Sequence, residues 1–394
     1  MRKSVRTLYL FQKPYLAVIQ WVIDAVGRLL FLPVRKRKMP TDVRKILVSR
    51  IDHLGDVFIA SSILPHLKKA FPRASIHFMA GEWARGYLRS NPHIDSLLVY
   101  NSMKLNRNKG LLKNALSAVT GFAANVREMR SESYDLCIDL RAYPFNSILL
   151  LVLGGGKYRV GFSTGGFGFL LDNVIPYRTG VHEITHVKDA LSSIGINVPE
   201  SELRPEFVPT RSSVKETTRI LEGLGIAEGE KFVLVHTGSG APKKLWRKER
   251  WQELVKGIIR RYGIKVVLYD PTYGDSIKGC IKLPPLISFE QFAVVAKKAS
   301  LFIGLDSLPA HLAASFGTPV VVLWCGINDF RQWKPVGEKV ALVRKDVDCA
   351  PCFKKNGCAE MRCMDITADE CMREAAMFLD PLRPARAQKY MLIS

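Results

Sequence analysis

The sequence predicts an α/β protein of two doubly wound parallel sheets, preceded by a basic amphipathic helix. Short apolar runs alternate with helix-period segments over 44–153 and again over 231–324, the pattern of βαβ units. Between the two series, the segment 197–214 (NVPESELRPEFVPTRSSV) carries three prolines and no periodicity, and reads as a linker. The length, 394 residues, suits two domains rather than one. The expected organisation is a basic membrane-interface segment over 1–41, a first α/β domain over 42–205, a second over 206–348, and a Cys-rich tail with a closing helix over 349–394.

The composition narrows the class. Hydrophobic residues make up 47% of the chain, enough for two cores, and 24% are charged, with 29 Gly and 21 Pro. That excludes a disordered, collagen-like or low-complexity protein. Eight Cys are too few for a disulfide scaffold at this length. The formal net charge of +22 points to anionic partners: phosphorylated substrates, nucleic acid or an acidic membrane surface. No nucleic-acid motif accompanies the charge, so nucleic acid is not an expected partner.

The elements follow in order. Lys or Arg stands at 2, 3, 6, 13, 28, 35–38, 44 and 45, against Asp24 and Asp42. Between the basic clusters lies PYLAVIQWVIDAVGRLLFLP, 14–33. Its longest charge-free run, Pro14 to Ile23, is far short of the ~20 residues that span a bilayer. Lys13, Gln20, Asp24, Gly27 and Arg28 fall on one stripe of a helix, and the rest is apolar. The expectation is a helix lying in a membrane interface, with Lys and Arg toward anionic headgroups. A helix packed on the protein's own surface is the alternative. A signal peptide fits less well, because Asp24 and Arg28 interrupt the apolar core and no small-residue cleavage site follows.

Residues 44–50 read as a strand, 51–56 as a turn, 57–71 as a helix and 75–79 as the next strand. DLCID (135–139) is a strand, 147–153 a buried helix, 154–168 a glycine-rich loop and 186–195 a helix. The second series has strands at 231–236, 264–270, 301–306 and 319–324, with helices at 247–262, 289–299 and 308–316. Ligands of such sheets bind at the carboxyl ends of the strands, so the loops 50–57, 236–246, 270–275 and 304–311 are the candidate sites.

HTGSGAPKKLW (236–246) offers hydroxyls and unhindered backbone N–H groups at Thr237, Gly238, Ser239 and Gly240, with Lys243 and Lys244 adding charge. It is not a Walker loop. In GLDSLPAH (304–311), Asp306 and Ser307 can cap the following helix, and His311 lies one turn inside it. In DHLGD (52–56), Gly55 permits a tight turn. Asp56 is then either a helix cap or a carboxylate placed as general base toward a sugar hydroxyl.

Three segments then carry a family resemblance: ILVSRIDHLGDVFIASSILPHLKKAFP (46–72), VLVHTGSGAPKKLWRKERWQEL (233–254) and GLDSLPAHLAASFGTPVVVLW (304–324). DLRAYPFNSILLLVLGGGKYRVGF (139–162), HEITHVKDALSSIGI (182–196) and the Cys-bearing tail 349–367 also fit. Together, over roughly 43–375, the chain resembles glycosyltransferase family 9, the ADP-heptose:lipopolysaccharide heptosyltransferases. The resemblance implies a GT-B fold, two Rossmann-like domains facing across a cleft. It implies inverting, metal-independent transfer of heptose from ADP-heptose to an anionic, lipid-linked lipopolysaccharide acceptor. Asp56 falls on the family's general base. Thr237, Gly238, Ser239, Gly240, Lys244, Asp306, Ser307 and His311 fall on the donor-binding positions. An acidic donor contact falls on Asp270 or Asp275. One departure is Leu308, where the family usually has Gly. A side chain there narrows the approach to a diphosphate and keeps another nucleotide sugar open as the donor.

The cysteines allow one further expectation. Cys349, Cys352, Cys358 and Cys363 could bind a structural Zn²⁺, although the second pair is looser than a double Cys-x-x-Cys. Reduced thiols are the alternative. Cys137, Cys280 and Cys325 read as packing residues.

Overall fold

The computed structural model describes residues 8–11, 13–31, 36–101, 111–144, 146–273, 277–354 and 358–380. The chain divides between Glu206 and Phe207 into two compact units. Asp275, Arg2, Lys3, Arg6 and Arg35 lie outside the described residues.

The first unit opens with α1 (Pro14–Phe31), then β1 (Lys45–Ser49), α2 (Leu54–Ala60), α3 (Leu64–Ala70), β2 (Ser75–Ala80) and β3 (Ser96–Val99). It continues with α4 (Leu111–Glu132), β4 (Leu136–Asp139), α5 (Ile148–Leu153), β5 (Tyr158–Phe162), β6 (Asn173–Ile175) and α6 (Glu183–Ser193). The strands form one parallel sheet in the order β3-β2-β1-β4-β5-β6. β1 pairs with β2 on one side and β4 on the other, with Val48 opposite both Phe78 and Ile138. The chain therefore reverses its winding between β1 and β4, and the loops after those strands flank a switch-point crevice.

Three expectations are corrected here. The glycine-rich 154–168 contains β5, a strand that glycine and a lone basic residue disguise. The single helix expected over 57–71 begins at Leu54 and changes to a 3₁₀ turn at Ser61–Ile63 before α3, with Pro65 in the first turn of α3. Proline is tolerated there because that N–H has no partner in a first turn. The helix expected at 186–195 begins at Glu183, with the His182 ring accepting from the Ile184 N–H as its cap.

The second unit runs α7 (Arg211–Gly223), β7 (Phe232–His236), α8 (Lys248–Tyr262), β8 (Lys265–Tyr269), β9 (Ile281–Lys282), α9 (Phe289–Lys298), β10 (Leu301–Leu305), α10 (Leu308–Ser315), β11 (Val320–Trp324), β12 (Val340–Arg344) and α11 (Ala368–Leu379). α7 starts inside the expected linker, where Thr210 caps it through the Ser213 N–H. The order β12-β11-β10-β7-β8-β9 repeats the winding of the first sheet, with its switch point between β7 and β10. β7, β10 and β11 are buried throughout, the mark of a sheet covered on both faces. α11, the closing helix, carries a full capping box, in which Thr367 and Glu370 satisfy each other's backbone N–H. It packs on α8 and adds Cys371 and Ala375 to the core.

Candidate active site

Each unit assembles its functional side chains at its own switch point. In the first, Arg50 leaves the end of β1 as one of the largest fully buried side chains, 2% exposed. A buried guanidinium must be paired. Its Nη1 lies 3.0 Å from Glu183 Oε1 and also donates to the Leu140 carbonyl. Its Nη2 lies 3.5 Å from Asp52 Oδ2 and 3.7 Å from Asp56 Oδ1, in ion-pair range but without a hydrogen bond. Arg141, after β4, pairs with Asp52 at 2.5 Å and donates to the Ile51 carbonyl at 2.8 Å. Asp56 stands in the first turn of α2, whose N-cap position is His53, so the capping alternative for Asp56 is not the one the fold uses.

The electrostatics follow from the count. Asp52, Asp56 and Glu183 carry three negative charges against two on Arg50 and Arg141. Burial raises the Asp56 carboxyl well above its ordinary range, and Asp52 and Glu183 push the same way while Arg50 and Arg141 oppose. A carboxylate that holds its proton more tightly is a stronger base. Asp56 lines a small cleft with Arg50, Ala60, Leu140, Glu183, His186 and Val187. His186 stacks on Tyr177 at 4.4 Å, and its Nε2 lies 2.9 Å from the Arg178 carbonyl.

In the second unit, Thr237 follows β7 and is fully buried. Its hydroxyl donates to Asp270 Oδ1, which also accepts from the N–H groups of Thr272 (3.0 Å) and Tyr273 (2.8 Å). The other oxygen, Asp270 Oδ2, is buried and has no hydrogen-bond partner among the described residues. Gly238 has to be glycine: a Cβ there would stand 2.4 Å from Pro271 Cγ. Ser239 Oγ accepts from the Ala241 N–H at 3.4 Å, and Gly240 is exposed. The far end of this loop is pinned by Trp246, whose ring meets Trp251 edge-on at 4.8 Å and donates to the Ile366 carbonyl at 2.8 Å. His236 is held neutral, its pKa lowered by burial to about 4.

Of the two lysines, Lys243 is exposed, whereas Lys244 turns inward. Lys244 Nζ lies 2.5 Å from Asp306 Oδ2, with 12% and 7% of the two side chains exposed. Asn328 donates to the same oxygen at 3.2 Å. Asp306 thus joins the β10 loop to the β7 loop. Ser307 occupies the N-cap position of α10 but makes no capping bond, and its hydroxyl donates back to the Leu305 carbonyl at 3.3 Å. His311 is buried within α10. The donor-side residues therefore come together around two adjacent strand ends, and Asp56 belongs to the first unit. Arg50, Arg141, Glu183 and Asn328 were not singled out from the sequence. The signal for Glu183 was present in the segment HEITHV.

Of the cysteines expected as zinc ligands, Cys363 is buried and Cys352 half-buried. Cys363 Sγ lies 3.8 Å from Cys325 Sγ, both buried, while Cys349 and Cys358 are exposed. Among the described residues, no group of three or more His, Cys, Asp or Glu side chains is placed to hold a metal ion. Cys137 is fully buried, as a packing residue should be.

Comparison with known proteins now bears on this arrangement. The model of glycosyltransferase family 9 (heptosyltransferase) matches residues 123–362. The chain is 24% identical over 298 residues to a lipopolysaccharide heptosyltransferase 3 of Escherichia coli, covering 71% of this chain and 83% of that one. A family 9 glycosyltransferase of Veillonella parvula superimposes with a TM-score of 0.70 at 19% identity, covering 87% and 99% of the two chains. The ADP-heptose lps heptosyltransferase II of E. coli does so with a TM-score of 0.63 at 19% identity over 85% and 98%. With the two Rossmann-like sheets of the GT-B class, and a family match over more than half its length, this chain belongs to glycosyltransferase family 9 and is a glycosyltransferase.

Proposed function

We propose that the enzyme transfers a heptose, with inversion, from ADP-heptose to an anionic, lipid-linked acceptor of the lipopolysaccharide inner core, working at the cytoplasmic face of the inner membrane. The observation that carries this reading is Asp56, a carboxylate of raised proton affinity whose side chain is still 13% exposed in its cleft, in the first turn of a helix at a switch point. Asp56 takes the proton of the acceptor hydroxyl as it attacks the anomeric carbon. The bond to the departing diphosphate breaks through an oxocarbenium-like state. Negative charge then grows on ADP. Lys244 and the N–H groups at the start of α10 stabilise it, with Thr237, Gly238, Ser239 and Gly240 shaping the donor loop. In this reading these cations and dipoles suffice without a catalytic metal. Asp306 orients Lys244, and Ser307 and His311 complete the α10 side. Asp270 Oδ2 supports a donor contact, being a buried acceptor with no partner among the described residues. A related E. coli enzyme named for ADP-heptose supports the choice of donor.

A second reading rests on Leu308, a branched side chain at the start of α10, which favours another nucleotide sugar of surface polysaccharide or glycolipid synthesis. Calorimetry on the purified protein separates the two. Tighter binding of ADP-heptose than of ADP, UDP-sugars or GDP-sugars is the expected result. Preference for another nucleotide sugar would overturn the donor assignment and leave the reaction class standing.

A further inference from the structure

α1 is turned inside out. Ala17, Gln20, Asp24 and Gly27 are its buried residues, a narrow stripe of small and polar side chains facing the domain. The large apolar side chains point the other way. Tyr15, Leu16, Val18, Ile19, Trp21, Val22, Ile23, Val26, Leu29 and Leu30 are 36–70% exposed. At about 100° per residue these ten sweep an arc of about 220°. They are more than half of the exposed large hydrophobics among the described residues. An apolar patch of that size on a free surface marks an interaction site.

The polar stripe is a latch. Asp24 Oδ1 accepts from Gln20 Nε2 at 2.8 Å and from the Phe167 N–H at 2.9 Å, and Oδ2 accepts from the Tyr9 hydroxyl at 2.9 Å. Two glycines let the surfaces close. A Cβ on Gly27 would run into the Phe169 ring at 2.2 Å, and one on Gly166 into the Gln20 amide at 2.3 Å. The loop that receives the helix is tied to the catalytic end of the sheet. Asn146 Nδ2 donates to the Gly166 carbonyl at 3.0 Å, Thr164 Oγ1 to the Ala142 carbonyl at 2.7 Å, and the adjacent Arg141 pairs with Asp52.

We propose that the outward face of α1 seats the first domain on an anionic lipid bilayer, the helix lying in the headgroup plane with its polar stripe turned into the protein. Charge chooses this occupant. Lys13 Nζ lies 5.8 Å from the Tyr15 ring on this face, Arg28 falls beside Trp21 at the edge of the arc, Lys36, Arg37 and Lys38 follow the helix in the chain and are exposed, and Asp24, the one acid of the helix, is spent inside the latch. A second copy of the same face would bring these cations together, whereas phosphatidylglycerol-type headgroups neutralise them. Trp21 and Tyr15 sit on the outward face, as side chains with a polar handle do at a wet–apolar boundary. No helix among the described residues is long and apolar enough to cross a membrane. The inference deepens the proposed membrane-side function: the helix is a fixed sole of the domain, holding the Asp56 cleft in one orientation toward a lipid-linked acceptor.

The test is flotation of the full chain with vesicles of phosphatidylethanolamine and phosphatidylglycerol, against vesicles of phosphatidylcholine alone. The intact protein should float with the anionic vesicles and shift its emission to the blue, a shift that Trp21→Phe removes. The pair Ile19→Glu and Val22→Glu alters two side chains about half exposed to water, so the melting temperature should hold while vesicle binding falls at least about tenfold. Asp24→Ala should speed tryptic cleavage at Arg28 by releasing the helix. Undiminished binding by the double variant would overturn the docking face, and equal binding to both vesicle types its anionic partner. A dimer that the double variant splits, in a protein that ignores vesicles, would give the face to a second copy. Unchanged cleavage in Asp24→Ala would overturn the latch. ADP-heptose binding, measured beside these, should be the same in every variant. If it is absent throughout while flotation behaves as stated, the proposed function fails and the docking surface stands.

Discussion

Lys244→Met removes one ammonium and leaves most of the stem. The side chain joins two loops, because its Nζ lies 2.5 Å from Asp306 Oδ2. Taking one partner out of a buried ion pair costs about 3–5 kcal/mol, since the other charge is left uncompensated. Here both side chains keep slight contact with water, and Asn328 still donates to the orphaned oxygen. The expected loss is therefore at or below the low end of that range, about 2–3 kcal/mol, or roughly 5–10 °C in Tm for a unit of this size. The catalytic effect has a separate source. A lysine about 4 Å from a diphosphate oxygen interacts by about 4 kcal/mol at an effective dielectric constant of about 20. Only the part that grows as the leaving group gains charge lowers the barrier. That suggests about 3 kcal/mol, or roughly two powers of ten in the rate of the chemical step.

Single-turnover transfer from ADP-heptose reads the second effect, and thermal unfolding reads the first. A cycle with Asp306→Asn separates them, because that variant breaks the pair and leaves the ammonium in place. If Lys244 acts on the diphosphate, adding Lys244→Met to Asp306→Asn still slows the chemical step about a hundredfold. If the lysine only props the loop, the second substitution changes nothing further, and the reasoning is refuted.

Three other perturbations follow from the same geometry. Asp56→Asn should abolish transfer and leave donor affinity unchanged; appreciable turnover would remove Asp56 from the role of base. The same variant should also stabilise the fold at pH 8 more than at pH 4. The folded carboxyl binds its proton more tightly than the unfolded one, so its contribution to stability is lost as pH rises through the folded value, and Asn abolishes that loss; equal melting shifts at both pH values would contradict it. Glu183→Gln removes a negative charge that pushes Asp56 upward and frees Arg50 to lean toward Asp56, so the acid limb of the pH–rate profile should move to lower pH, and a move to higher pH would refute the sign. Gly238→Ala drives a methyl against Pro271, at about 1–3 kcal/mol in stability, with weakened donor binding by calorimetry as the sign that the loop has shifted.

The fold was legible wherever burial wrote itself into the chain. β1, β4, β7, β10 and β11 are buried on both faces, and their apolar runs stood out against the helix periods around them. The strands that escaped were edge or near-edge pieces. β3 and β12 are only partly buried, β5 carries an arginine and a glycine, and β9 is two residues long, so none presents a continuous apolar signature. On the donor side, loop chemistry was readable because it is local: Gly238, Lys244 and Asp306 announce themselves by residue type and by position at a strand end.

The acceptor side was harder for a physical reason. Asp56 acquires its character from Arg50, six residues earlier, and from Glu183, more than a hundred residues later, and only the fold brings them to one guanidinium. A carboxylate in isolation is a surface acid; three of them around two arginines, largely withdrawn from water, hold one proton more tightly than the ordinary range allows. The same principle explains α1. Its polar stripe was visible in the sequence, but a stripe alone does not say which medium it faces. An Asp with partners at Tyr9, Gln20 and the Phe167 N–H faces protein, and then the apolar arc has to face something other than the core. Function in both places lies in long-range pairings that satisfy buried charge, which residue spacing leaves open and which the folded chain decides.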